Sequence, residues 1–250
     1  MRTVPEGVRR RLDPEARYGL RLTLFAVAVV LVAVPFGVLT DQVVRSGPLL
    51  RIDNGVADSV RVWMAGRPDW LVTAVRRVSD AGKPPYLTTL AGLATLYVVL
   101  RDRIRLGVFL VTTALVGGVL DSTVKVLVDR PRPDGLDALV EAHGRSFPSG
   151  HAMESTVVYG ALLLAFLPAV PRRRRPLAIG ATVALVLAIA ASRVALGVHF
   201  LSDVVGGVLL GLAWLAASVA AFRLWRVDRG VRPAPVAEGV EPEAASDLRR

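Results

Sequence analysis

The 250-residue chain contains no cysteine. That excludes a disulfide framework, a thiolate zinc site and a cysteine nucleophile, and it leaves the redox state of the compartment unread. Lysine is almost as scarce: Lys83 and Lys125 are the only two among 31 basic residues, and the rest are arginine. Histidine occurs three times, and aromatic residues make up 6%. No basic stripe is interleaved with aromatics, as single-stranded nucleic-acid binding would need. There is no internal repeat, and no cluster of carboxylates suited to Mg²⁺. Charged residues reach only 21% against 53% hydrophobic, and the mean hydropathy is +0.49. A globally disordered chain and an ordinary water-soluble enzyme are both excluded by that balance.

What is present is an oily chain that is also strongly basic, with a formal net charge of +10 and a pI near 11.1. Such a charge points either to nucleic-acid binding or to the basic loops of a membrane protein. Six apolar stretches, residues 22–39, 86–100, 104–128, 152–170, 177–198 and 200–222, read as membrane-spanning helices. The first follows a segment with six arginines, as a signal peptide would. It is long for one and lacks a small-x-small cleavage site before Asp41, so it reads as an uncleaved span. Between residues 56 and 78, apolar residues recur at helical spacing (Val56, Val60, Trp63, Met64), with Trp63 and Trp70 among them. That pattern predicts an external amphipathic segment over 41–85, lying at the bilayer surface with tryptophan at headgroup level. Residues 129–151 read as an external loop. The stretch 223–250, rich in Pro, Glu, Ala and Arg, reads as a disordered tail.

The basic residues then sort by side. Residues 1–21, the turns 101–105 and 172–175, and the tail carry 19 of the 31. Short loops report orientation best, and the two short turns are on this side, which the positive-inside rule makes cytoplasmic. The expectation is an all-α protein of six transmembrane helices over 22–222 in the cytoplasmic (inner) membrane, with both termini cytoplasmic. Membrane lipids are its surroundings, and the charge is a topology signal that implies no nucleic acid.

Three polar groups fall at span ends on the opposite, extracytoplasmic face: Lys125 to Pro133, Pro148 to His151, and Ser192-Arg193 with His199 and Asp203. Charge at a membrane boundary is expensive unless paired or functional. Lys125, Arg132 and Arg193 are three cations near one surface, and phosphate is the usual partner of arginine forks. Ser149 can cap the helix that follows, and the backbone at Gly150 can approach an anion there. His199 and Asp203 are spaced i, i+4, so on a helix they share a face. A carboxylate on one ring nitrogen fixes the tautomer and raises the basicity of the other, which suits attack. His151 suits protonation of a leaving oxygen. Asp121, four residues before Lys125, reads as its structural partner, Arg130 as a binder of headgroup or phosphate, and His143 as a non-catalytic loop residue.

Lys-x6-Arg-Pro, Pro-Ser-Gly-His and Ser-Arg-x5-His-x3-Asp, in order from Lys125 to Asp203, resemble the three signature motifs of the type 2 phosphatidic acid phosphatase family. That family shares a superfamily with bacterial acid phosphatases and vanadium haloperoxidases. The resemblance implies a helical membrane core and a metal-independent reaction without cofactor. It also implies that His199 attacks phosphorus, Asp203 orients His199, and His151 protonates the leaving oxygen. Lys125, Arg132, Ser149, Gly150 and Arg193 would hold the phosphoryl oxygens. The implied substrate is a lipid phosphate or pyrophosphate: phosphatidic acid, phosphatidylglycerol phosphate or a polyprenyl pyrophosphate. A phosphotransferase using the same intermediate, and a non-catalytic lipid-phosphate binder or transporter, are the alternatives. Nothing in the sequence signals an oligomeric state.

Overall fold

A computed structural model describes residues 20–133, 139–140, 144–228 and 235–249. His143 and the basic N-terminal segment up to residue 19 lie outside the described residues, as do parts of the 129–151 loop. All regular structure among the described residues is helical. The helices are α1 (Leu20–Val44), α2 (Leu49–Ala65), α3 (Asp69–Asp80), α4 (Pro84–Leu100), α5 (Ile104–Val128), α6 (Gly150–Phe166), α7 (Arg175–Ala195) and α8 (Leu201–Asp228).

Four segments are long and apolar enough to cross a membrane: Ile104–Val128, Gly150–Ala169, Arg172–Ala195 and Leu201–Arg226. The other two stretches expected to span are shorter as apolar helix. Pro84–Leu100 has 17 residues, and within α1 the described apolar part is Val32–Val44. Local chemistry sets the boundaries. Pro84 starts α4 where a missing N–H costs nothing, and Asp129, in the left-handed region at φ 49°, ends α5 before Pro131 and Pro133.

At the centre is α6, packed against α4, α5, α7 and α8. Its residues Ala152, Met153, Val157, Val158, Ala161 and Ala165 are all buried. Small residues let α8 come close. A Cβ on Gly207 would meet the Ser149 carbonyl oxygen at 2.6 Å, and one on Gly211 would meet that of Met153 at 2.9 Å. This small-xxx-small pair brings two backbones together where lipid supplies no hydrophobic drive between helices.

Residues 41–85 form α2, α3 and their connections. Val56 and Val60 of α2 pack against Ala152, Ala190, Val194 and Val204, whereas Trp63 and Trp70 are exposed. Asp53, Val56, Val60 and Met64 fall on one stripe of α2, and the stripe faces inward.

The C-terminal stretch departs from the sequence reading. Helix α8 continues to Asp228, and residues 235–249 form three short 3₁₀ turns docked on the bundle rather than a disordered tail. Val240, Ala244 and Leu248 bury against a cluster that includes Val98, Leu106, Leu110 and Phe222. Acidic residues of the same stretch meet arginines of the basic turns and of α8. Arg103 pairs with Asp247 and, at 3.2 Å, with Glu241; Arg226 pairs with Glu243 at 2.5 Å; Arg172 pairs with Glu238 at 3.4 Å. The Asp247 hydrogen bond raises the pKa of Arg103 further above its ordinary value. The overall polarity of the stretch masked an apolar residue at every fourth position. Leu248→Ala should lower stability by about 2 kcal/mol, the low end for a buried leucine. Thermal unfolding in detergent checks this, and a melting curve identical to the wild type would show that the stretch is not docked.

Candidate active site

Four helix ends meet at one end of the bundle: the C-termini of α5 and α7 and the N-termini of α6 and α8. Lys125 belongs to the last turn of α5, Arg193 to the last turn of α7, and Asp203 to the first turn of α8. Ser149 is the N-cap residue of α6, with Gly150 and His151 as its first two residues. The basic turns at Arg101–Arg105 and Arg172–Arg175 lie at the other ends of these helices.

His199 sits in the short connection from α7 to α8 and is buried. Its Nδ1 faces Asp203 Oδ2 at 3.4 Å, long for a hydrogen bond but correctly directed. Its Nε2 lies 3.1 Å from Nη1 of Arg132, which also donates to the Val198 carbonyl at 2.8 Å. Carboxylate on one nitrogen and cation on the other favour a neutral ring with the proton on Nδ1 and a lone pair on Nε2. Burial pushes the His199 pKa down to about 4, against the upward pull of Asp203. The unprotonated ring is therefore the resting form at neutral pH. Burial likewise lowers the pKa of Arg132 from its ordinary value, with the Asp203 charge opposing.

Asp203 is fully buried and heavily bonded. Its Oδ2 accepts from the Ser146 hydroxyl and from the Phe200 amide at 2.9 Å, and its Oδ1 accepts from Arg130 Nη1 at 2.6 Å. Its carbonyl accepts from the Ser149 amide at 2.9 Å, tying the start of α6 to the start of α8.

Opposite His199 lie groups without partners. Among the buried polar atoms that make no hydrogen bond are Ser149 Oγ, His151 Nε2 and Arg193 Nε. Ser149 holds the N-cap position, yet its hydroxyl makes no capping bond, contrary to the cap that its position suggests. Unpaired buried donors carry a desolvation cost that an anion would relieve. Lys125 pairs with Asp121, as the i, i+4 spacing predicts. Gly150 lies against that pair: a Cβ there would stand 2.7 Å from Lys125 Nζ and 3.2 Å from Asp121 Oδ2. A side chain there would crowd the Lys125 ammonium, and the first turn of a helix is where backbone amides can receive an anion.

All eight residues picked out from the sequence thus lie at this end of the bundle, and His199 contacts both Asp203 and Arg132. Several more were missed. Ser146 bonds Asp203 and stands 3.4 Å from His199 Nδ1. Ser79 of α3 accepts from Arg193 Nη1 at 2.6 Å. Gly82 lies on His151: a Cβ there would be 3.1 Å from the ring's Cδ2 and 2.5 Å from Ile189. The Tyr159 hydroxyl donates to the Ala81 carbonyl at 2.9 Å and fastens that turn to α6. Asp53 of α2 bonds Arg130 at 2.8 Å. Only Asp53 left a trace in the sequence, as a carboxylate on the apolar stripe of an amphipathic helix. Arg130 is itself placed differently from expectation. It is buried between Asp53, Ser202 and Asp203, where it can reach neither a headgroup nor a substrate phosphate.

Known proteins share parts of this arrangement. Phosphatidylglycerophosphatase B of Bacillus subtilis is 41% identical over 97 residues, 38% of this chain and 47% of that protein. The lipid A 1-phosphatase of Rhizobium etli is 34% identical over 124 residues, 46% of this chain and 49% of that protein. The chain therefore spans about half the length of the curated relatives it matches. The crystal structure of a transmembrane PAP2 type phosphatidylglycerolphosphate phosphatase from Bacillus subtilis superimposes with a TM-score of 0.71. That likeness has 22% identity and covers 83% of this chain and 98% of the other, so it speaks for the fold. The family model of the PAP2 superfamily matches residues 104–226, a stretch holding all three motifs.

Proposed function

We propose that this protein is a membrane phosphatase that hydrolyses a lipid phosphate or pyrophosphate through a phosphohistidine on His199. The observation that carries the reading is the setting of His199, with Asp203 on Nδ1 and the cation Arg132 beside Nε2. In the first step the Nε2 lone pair forms a bond to phosphorus and the bond to the leaving oxygen breaks. His151 gives that oxygen its proton. In the second step water attacks phosphorus, the nitrogen–phosphorus bond breaks, and His151 takes the water's proton. Asp203 holds the positive charge that develops on His199. Lys125, Arg132 and Arg193, with Ser149 and the Gly150 amide, hold the phosphoryl oxygens. Phosphoryl transfer depends mainly on such positioning and charge stabilisation.

Cationic donors around the site support a reaction that needs no metal. Among the described residues no three His, Asp or Glu side chains are grouped to hold one. The names of the relatives support a phospholipid-type substrate, and phosphatidylglycerol phosphate heads the candidates because the 41% identical relative is named for it. Phosphatidic acid and a polyprenyl pyrophosphate are the others. A site at the helix ends, beside the bilayer edge, suits a substrate whose tail stays in lipid. Six spans, with both termini cytoplasmic and the site on the extracytoplasmic face, complete the proposal. Its support is the two basic turns at the end of the bundle away from His199.

Purified protein in EDTA should release phosphate from one of these three lipids, and His199→Ala should lose turnover by at least about 10³-fold while folding normally. Activity that disappears with chelator and returns with Mg²⁺ refutes the metal-free reaction, and an active alanine variant removes His199 as nucleophile. Phosphate passed to an added alcohol rather than to water would identify a transferase.

Orientation has a clean test because the chain has no cysteine. Arg145→Cys, at an exposed position in the loop before α6, should react with an impermeant thiol reagent added to intact cells. Protection there, with labelling only after lysis, would invert the topology.

A further inference from the structure

Asp53 lies on α2, far from the three motifs in sequence, yet it is 1% exposed and ends in the active site. Its Oδ2 accepts from Arg130 Nη2 at 2.8 Å and from the Ser202 hydroxyl at 2.5 Å. Its Oδ1 accepts from the Ser202 amide at 2.9 Å, at the first turn of α8. Arg130 in turn donates through Nη1 to Ser202 Oγ at 2.7 Å and to Asp203 Oδ1 at 2.6 Å. Its guanidinium also lies over the Phe200 ring, 4.3 Å from the centroid. One buried cation therefore stands between two buried carboxylates, and the second of these orients His199.

We infer that Asp53 is a positioning residue of the active site, which shares Arg130 with Asp203 and so keeps Asp203 Oδ2 turned towards His199. The inference rests on the phosphohistidine reading above. Its physical basis is the shape of the guanidinium. An arginine fork prefers to grip one carboxylate with two parallel hydrogen bonds. With Asp53 on one arm, Arg130 takes a single oxygen of Asp203, and the other stays available to Nδ1 of His199, Ser146 and the Phe200 amide. Without the Asp53 charge, Asp203 is the only carboxylate left to balance a buried arginine. The fork then closes on both oxygens of Asp203, which weakens its hold on His199 Nδ1–H and its support of the charge that develops on the ring. Asp53 and Arg130 touch neither the phosphate-facing groups nor Nε2, so substrate affinity is spared.

Asp53→Asn keeps the shape and removes the charge. We expect kcat to fall about 10–100-fold, as when an outer partner of a catalytic histidine is lost, with KM within about twofold. The chain has three histidines, so ¹⁵N-histidine labelling yields few imidazole signals, and His199→Ala identifies the one at the site. In Asp53→Asn the His199 Nδ1–H resonance should move upfield or broaden away. Folded Asp53→Asn protein with wild-type kcat, or with reduced kcat but an unmoved resonance, overturns the inference. If Asp53→Asn does not fold, Ser202→Ala, which removes two of the hydrogen bonds of the network without removing a charge, should show the same two changes on a smaller scale. A wild-type kcat and resonance in that variant overturn it equally. The parent reading is judged separately: a working His199→Ala enzyme defeats the phosphohistidine, whereas a dead one beside an unaffected Asp53→Asn defeats only the role of Asp53.

Discussion

A charge removed from water must be matched by another, and at this site the match is made at Arg130. Its side chain is held between Asp53 and Asp203, from the second and eighth helices, and it also reaches Ser202. The Ser146 amide donates to the Arg130 carbonyl at 2.8 Å, so the loop that leads to Ser149 is hung on the same residue. One residue thus joins α2, the loop after α5 and the start of α8. One cation thereby matches two buried carboxylates. The dyad of His199 and Asp203 inherits its geometry from that match.

Other polar atoms at this end follow the opposite rule. Ser149 Oγ, His151 Nε2 and Arg193 Nε are buried without hydrogen-bond partners. Buried polar atoms are ordinarily satisfied, and a group of exceptions aimed at one place is the sign of a ligand they serve. Around Asp203 the polar atoms are bonded, whereas Ser149 Oγ, His151 Nε2 and Arg193 Nε at the same end of the bundle are not. That division is what preorganisation means for a reaction whose catalysis is mostly electrostatic.

The sequence disclosed the front of the site and hid its back. Apolar runs disclosed the long helices because hydropathy over some twenty residues is a strong local signal. The motif residues were legible because three cations, two histidines and a glycine at helix ends have no cheap structural explanation at a membrane boundary. Ser79, Ser146 and Gly82 were not legible. Each is a small residue in a polar segment, and its role exists only once Arg193, Asp203 or His151 is brought beside it. Arg130 was misplaced for a related reason. Its neighbour two residues on, Arg132, faces His199, and only the turn between Asp129 and Pro133 sends the two side chains to different sides. The docked C-terminal stretch was missed because composition averages away Val240, Ala244 and Leu248, which carry its burial.

The same stretch changes what the basic turns mean. Counted along the sequence, Arg101 to Arg105 and Arg172 to Arg175 are topology charges. In the fold, Arg103 and Arg172 are met by acids of the chain's own C-terminal stretch, and Arg175 donates to the Ala237 carbonyl at 3.3 Å. A positive-inside signal acts while helices insert, before a C-terminal stretch has been made, whereas an ion pair acts in the finished protein. The proposed orienting role and the ion pairs do not compete, because they would be exercised at different times on the same side chains. At the catalytic end no such later partner is supplied for Arg193, whose Nε is left unpaired and whose Nη1 rests on a neutral serine. At one end the chain meets Arg103, Arg172 and Arg226 with its own acids, and at the other it leaves Arg193 Nε unpaired.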